Sequence, residues 1–250
     1  NLWTTGDENN RMIRFTDDKA VGEFIAGGIT KILHHKPDAL ICIAAGTTSF
    51  PVFDALLRRK AEGDVSFDQA SFIGMDEWLG LPMDADGAMA DFLRKNFLDE
   101  AGFRDVFLFD GMADPQGECD RAERFIAEHG NFDAIVFGVG VNGHVALNEP
   151  GVDPTLRTHV AEVSSVTADV AQKYFEGETP KLTKGVTIGI GNAREARKLY
   201  VMANSPQKCP VVERAIELLA HGETTVELPA SFVLNLPQTE FCVTDEVFGE

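Results

Sequence analysis

Short, unbroken apolar runs alternate along this chain with stretches whose apolar residues recur at helical spacing, and that alternation restricts the fold more than any other feature. A strand that is apolar at every position must be covered on both faces, which places it inside a parallel sheet flanked by helices. Val21, Phe24, Ile25, Ile29, Ile32 and Leu33 outline a first helix behind Asp17 and Asp18, either of which can cap it; the pattern stops before Pro37. A strand follows at Ala39–Ala44 (ALICIA), then helical spacing at Val52, Phe53, Leu56 and Leu57. Further strands are predicted at Ala70–Gly74, near Val106–Phe109 and at Ala134–Phe137, with helices at Met89, Phe92, Leu93 and Phe97 and at Ala122, Phe125 and Ile126. The second half adds strands at Val186–Ile190 and Leu199–Ala203 and a helix at Val212, Ala215, Ile216 and Leu219. The expectation is an α/β fold: a doubly wound, mostly parallel sheet with helices on both faces, Rossmann-like, in a single domain over residues 1–250. Two excursions, Leu79–Asp91 and Gly151–Pro180, interrupt the alternation. Ligands of such sheets bind beyond the carboxyl ends of the strands, so the informative residues are those just after each strand.

Charge narrows the ligand. With 22 basic and 40 acidic side chains the net charge is −18, which repels phosphate backbones and anionic lipid and argues against nucleic-acid or membrane partners. An anionic small molecule would have to be drawn by a local cluster of donors. Cys42, Cys119, Cys209 and Cys242 are scattered, with no CxxC pair, and suggest neither a metal site nor a disulfide framework; Cys42 and Cys242 sit in strand-like runs and read as buried thiols. Asn1–Asn10 is polar and acidic, unlike a secretory leader, and no apolar run approaches the roughly 20 residues that span a bilayer. A cytoplasmic enzyme or binding protein is expected.

Three segments carry chemistry. Ala45-Gly46-Thr47-Thr48-Ser49 follows ALICIA and leads into a helix; its glycine, hydroxyls and helix N-terminus suit a phosphate, or equally an N-capping turn. Met75-Asp76-Glu77-Trp78 sets two adjacent carboxylates at the end of a strand, where burial can raise a carboxyl pKa toward acid–base use. Gly138-Val139-Gly140-Val141-Asn142-Gly143-His144-Val145-Ala146-Leu147-Asn148-Glu149-Pro150 directly follows another strand. Its glycines let the backbone turn tightly against a ligand, and a carboxylate near His144 can set the imidazole tautomer for a proton shuttle.

The GVGxNGHxxLNEP segment together with the upstream MDEW resembles the glucosamine-6-phosphate deaminase/isomerase family, whose usual pattern reads G-x-G-x-D-G-H-x-A-x-N-E-P with M-D-E-Y. The 6-phosphogluconolactonases of the wider superfamily tend to carry D-E-R and G-H-T-A-S-L-F-P instead, and Asn148-Glu149-Pro150 favours the amino-sugar branch. Trp78 and Asn142 are closer to the galactosamine-6-phosphate isomerase/deaminase relatives. The resemblance implies conversion of an aldose 2-amino-6-phosphate into a ketose 6-phosphate and ammonia, without metal or organic cofactor. It implies Asp76 as the carboxylate that moves a proton from C2 to C1, and His144 as the group that opens the sugar ring, with Glu149 as its orienting and only charged partner. Asn142 stands where the family usually has aspartate, which leaves His144 a weaker base. The 6-phosphate falls to Gly46, Thr47 and Thr48, to Lys173, where arginine is common, and to Lys208. A 6-phosphogluconolactonase-type hydrolase and a non-catalytic sugar-phosphate sensor remain the alternatives. Many family members are homo-oligomers, as hexamers activated by an N-acetylated sugar phosphate bound to basic residues in a pattern like R-T-R-I-K-T; here Arg157-Thr158-His159-Val160-Ala161-Glu162 retains one of them.

Overall fold

The computed structural model describes residues 12–177 and 180–250; the polar leader Asn1–Asn10 lies outside them. In chain order the elements are β1 (Met12–Phe15), α1 (Asp18–His35), β2 (Leu40–Ile43), α2 (Phe50–Ala61), β3 (Ser71–Ile73), β4 (Asp76–Trp78), α3 (Met89–Leu93), α4 (Asp99–Ala101) and β5 (Asp105–Phe107). There follow α5 (Pro115–Glu128), β6 (Ala134–Gly138), β7 (His159–Glu162), α6 (Ser165–Ala171), β8 (Lys184–Thr187), α7 (Ile190–Glu195), β9 (Leu199–Ala203), α8 (Cys209–His221), α9 (Ala230–Leu234) and β10 (Thr239–Thr244). Asp17 caps α1, its side chain accepting from Ala20 N–H at 2.8 Å.

Seven strands form one sheet in the order β1-β10-β9-β6-β2-β3-β5, every pair parallel. Alternation along each central strand divides the apolar residues between two cores. Leu40 and Cys42 of β2, Ile135 and Phe137 of β6, and Leu199 and Val201 of β9 pack with α5, α7, α8 and α9. Ile41 and Ile43, Ala134 and Val136, and Tyr200 and Met202 pack with α1, α2 and α3 on the other face. This two-sided cover is what unbroken apolar runs require, and it is the doubly wound sheet expected from the sequence. Cys42, Cys119 and Cys242 are buried and Cys209 is partly exposed, all as free thiols.

Two expectations are corrected. The strand placed at Val186–Ile190 ends at Thr187, and Ile190 opens α7. It also lies outside the main sheet: as β8 it joins β4 and β7 in a three-stranded antiparallel sheet. Apolar content alone cannot say which sheet a strand joins. The second correction concerns strands missed. Asp76–Trp78, expected at the end of a strand, is itself strand β4, held by pairing with β8, and β1 and β7, each at the edge of its sheet, escape sequence reading because neither carries the apolar run of the central strands. The small sheet takes one strand, β7, from the excursion Gly151–Pro180 and pairs it through β8 with β4, the strand that directly precedes the excursion Leu79–Asp91.

The direction of winding reverses between β2 and β6. From β2 the chain moves outward through β3 to β5, then crosses back to β6 and proceeds through β9 to β10. The loops after β2 and β6 therefore face one another across the switch point, the usual place for a ligand crevice in open sheets. No helix among the described residues is long and apolar enough to cross a membrane.

Candidate active site

A cavity of about 790 Å³ opens at this switch point, lined by the segments after β2, β3, β6 and β9 and roofed by the end of α6. Gly46, Thr47, Thr48, Asp76, His144, Lys173 and Lys208 all line it. Asn142 and Glu149 do not; they stand behind His144.

After β2 the backbone turns at Gly46 with φ +127°, a conformation side chains resist, and a 3-10 turn at Thr47–Ser49 leads into α2. Ser49 Oγ donates to the Ala44 carbonyl at 2.7 Å and is consumed in shaping the turn. The loop's other groups face inward: Thr47 N–H donates to Tyr174 Oη at 3.1 Å, and Lys173 Nζ lies 3.4 Å from Thr47 Oγ1. Lys208 stands immediately before α8 at the end of the 3-10 turn after β9, its ammonium donating to the Val139 carbonyl. Burial and the neighbouring Lys173 charge push its pKa down to about 8. Two cations and an open loop converge here at one end of the cavity, in a chain that is otherwise strongly acidic.

The paired carboxylates of MDEW separate, because successive residues of a strand point to opposite faces. Glu77 turns inward, its Oε1 accepting from Trp78 N–H and Met89 N–H at 2.9 Å each and its Oε2 from Ala90 N–H at 2.8 Å. It ties β4 to the start of α3, and burial still lifts its pKa to about 7 against those donors. Asp76 turns to the cavity and has no hydrogen-bond partner among the described residues. Burial, with the Glu77 charge behind it, raises its pKa from 3.8 to about 8.

After β6, His144 sits on a tight loop in which Gly143 adopts φ +86° and Gly140 clears the ring: a Cβ on Gly140 would lie 2.1 Å from the imidazole. Asn142 Oδ1 accepts from His144 Nδ1 at 2.7 Å, while its Nδ2 donates to Glu149 Oε2 at 2.8 Å and to Ser164 Oγ at 3.3 Å. The carboxylate fixes the amide: turned the other way, Oδ1 would face Oε2 with no proton between them. The amide in turn fixes the imidazole as the Nδ1–H tautomer, leaving Nε2 as a free acceptor. The sequence had Glu149 orient the ring; it lies 3.8 Å from Nδ1 and acts through Asn142. Nor is Glu149 the only charged partner. Burial and the Lys208 charge hold the imidazole below its ordinary pKa, against the pull of Glu149, so His144 is neutral at pH 7.

Sequence reasoning missed Ser164, Thr167 and Tyr174. Ser164 caps α6 and accepts from Thr167 N–H at 3.2 Å, which brings Thr167 Oγ1 within 3.2 Å of His144 Nδ1; a capping signal before α6 was readable, but not its proximity to the loop after β6. Among the described residues no cluster of His, Cys, Asp and Glu has the arrangement to hold a metal ion.

A doubly wound sheet whose switch-point cavity is lined by Asp76, His144, Lys173 and Lys208 is an arrangement suited to a small anionic metabolite. The chain belongs to the family of glucosamine-6-phosphate isomerases and 6-phosphogluconolactonases, matching its family model over residues 18–242. It is 30% identical to glucosamine-6-phosphate deaminase 2 of Giardia intestinalis, over 97% of this chain and 91% of the relative. It is 32% identical to the glucosamine-6-phosphate deaminase of Streptomyces coelicolor, over 92% and 88%. Among solved structures, a monomeric glucosamine-6-phosphate deaminase superposes with a TM-score of 0.87 at 23% identity, covering 95% of this chain and 98% of that one. A 6-phosphogluconolactonase from Thermotoga maritima gives 0.73 at 22%, covering 94% and 99%.

Proposed function

We propose that the protein is a hexosamine-6-phosphate deaminase, releasing ammonia and a ketose 6-phosphate from glucosamine 6-phosphate. The observation that supports this reading is that one cavity is lined both by Lys173, Lys208 and the Thr47 loop, suited to a phosphate, and by Asp76 and His144, suited to moving protons. His144 Nε2 takes the proton of the sugar O1 hydroxyl and returns it to the ring oxygen, opening the ring. Asp76 removes the C2 proton to give a C1–C2 enolamine and delivers it to C1; O1 gains the proton that nitrogen loses, and water replaces the resulting C2 iminium with a carbonyl and ammonia. The free Asp76 is mostly protonated at pH 7, and the ammonium on C2 is the group that ionises it on binding, since a cation within about 4–6 Å favours the carboxylate. Binding of the correct substrate thus switches on its own base.

Glucosamine rather than galactosamine 6-phosphate is assigned because curated relatives at 30% identity or more carry that name. Of the two residues that pointed to the galacto epimer, Asn142 does not line the cavity and its amide is spent on Glu149, Ser164 and His144, whereas Trp78 both lines the cavity and packs with Leu147, Ala161, Ala171 and Leu182. The test is ammonia release from both hexosamine 6-phosphates beside hydrolysis of 6-phosphogluconolactone. Ammonia from glucosamine 6-phosphate supports the assignment; lactone hydrolysis alone, or binding without turnover, overturns it.

A further inference from the structure

The family resemblance distributes the phosphate among the loop after β2 and two basic residues, and Lys173 is a reduced version of that set: a lysine supplies a point charge where an arginine would supply two directed donors. The residue beside it makes up the difference. Tyr174 Oη lies 3.1 Å from Thr47 N and accepts its proton, and the hydroxyl's own hydrogen has no acceptor among the described residues. The approach depends on Gly46, where a Cβ would come within 3.0 Å of the same oxygen. The ring is fixed independently of this hydrogen bond, edge-on to Phe92 with centroids 5.5 Å apart and with Lys173 Nζ 5.1 Å above its face. Phe92 is itself stacked on Phe50, the first residue of α2. The hydroxyl therefore stays at the loop whether or not Thr47 N–H is available.

We propose that Tyr174 is a further phosphate-binding residue: its hydroxyl stands where a phosphate oxygen sits against Thr47 N–H in the free protein and, when that oxygen takes the N–H, donates its unused proton to the same phosphate. The segment Lys173-Tyr174 then offers the anion one charge and one directed donor. This rests on the phosphate end of the cavity being as assigned above.

Tyr174→Phe keeps the ring and its contacts and deletes only the hydroxyl. It raises KM for glucosamine 6-phosphate, and Kd for inorganic phosphate measured by calorimetry, by about tenfold, the loss expected for one hydrogen bond to a charged group. kcat changes less than twofold, which a general disturbance of the α6 segment would not reproduce. Unchanged or tightened phosphate binding overturns the proposal, the second outcome showing that the hydroxyl only competes for Thr47 N–H. Lys208→Ala run in parallel separates this from failure of the parent reading: if that variant also binds phosphate like the parent protein, the anion site itself is misplaced.

Discussion

Replacing Asp76 with asparagine removes activity and stabilises the protein. The carboxyl is held in the folded chain with no hydrogen-bond partner among the described residues, and its pKa rises from 3.8 to about 8. At about 1.4 kcal/mol per pH unit, ionising it in place is disfavoured by about 6 kcal/mol relative to the unfolded chain. Its open side toward the cavity and the desolvation of the new amide trim the gain on substitution to about 3 kcal/mol. The sign follows from proton linkage. The folded pKa lies above the unfolded one, so between about pH 4 and 8 the native chain holds a proton that the unfolded chain has shed, and stability falls as pH rises through that window. Asp76→Asn does not titrate and escapes the loss. For a chain of this length about 3 kcal/mol corresponds to about 6–12 °C in Tm. Thermal unfolding followed by circular dichroism should show the variant more stable at pH 8.5, with the advantage shrinking as pH falls toward 4. Ammonia release should drop by about 100- to 10,000-fold, the range for loss of a general base. A variant no more stable than the parent at pH 8.5, or an advantage independent of pH, would refute the account of Asp76 as a strained base.

Three further outcomes are expected. Gly140→Ala drives a methyl group to 2.1 Å from the His144 ring; it lowers kcat at least tenfold and destabilises by about 1–3 kcal/mol, read from turnover and chemical denaturation, and wild-type turnover would show that the ring position is not critical. Lys208→Ala raises KM with a smaller effect on kcat, because a phosphate contact is present in ground and transition states alike, and it raises the His144 pKa, read by NMR titration, since the Lys208 charge helps to depress it. N-acetylglucosamine 6-phosphate at millimolar concentration should not activate: Arg157, the basic residue retained from the effector pattern, is paired with Glu123 at 2.8 Å and with Glu195, and Glu162 would repel an anion. A sigmoidal substrate curve that becomes hyperbolic with this effector would contradict that.

Local pattern was enough to establish the layers and to single out the loops at the carboxyl ends of the strands as candidates for ligand contact. Unbroken apolar runs demand two-sided burial, so β2, β6 and β9 could be read directly, with α1, α2, α5 and α8 of their covering helices but not α7 or α9, and the loops that follow the strands stood out as candidates for ligand contact. The Gly46–Thr48 loop, Asp76, His144 and Lys208 each follow a predicted strand at the end where such sheets bind ligands; Lys173 lies in the unassigned stretch Gly151–Pro180 and was reached only through the family resemblance. Spacing along the chain could not say what meets across it. Whether β8 joined the large sheet or the small one depended on partners far away in sequence. That Asp76 faces the cavity while Glu77 is buried depended on the register with which β4 pairs to β8. Asn142 as the link between Glu149 and His144, and Tyr174 lying against Thr47 across 127 positions of chain, came from the folding of α6 over the loops after β2 and β6. Hydrophobic periodicity reports which face of an element is covered; hydrogen bonds, pKa shifts and tautomers depend on which atoms are brought within about 3 Å, and that is decided by tertiary packing alone.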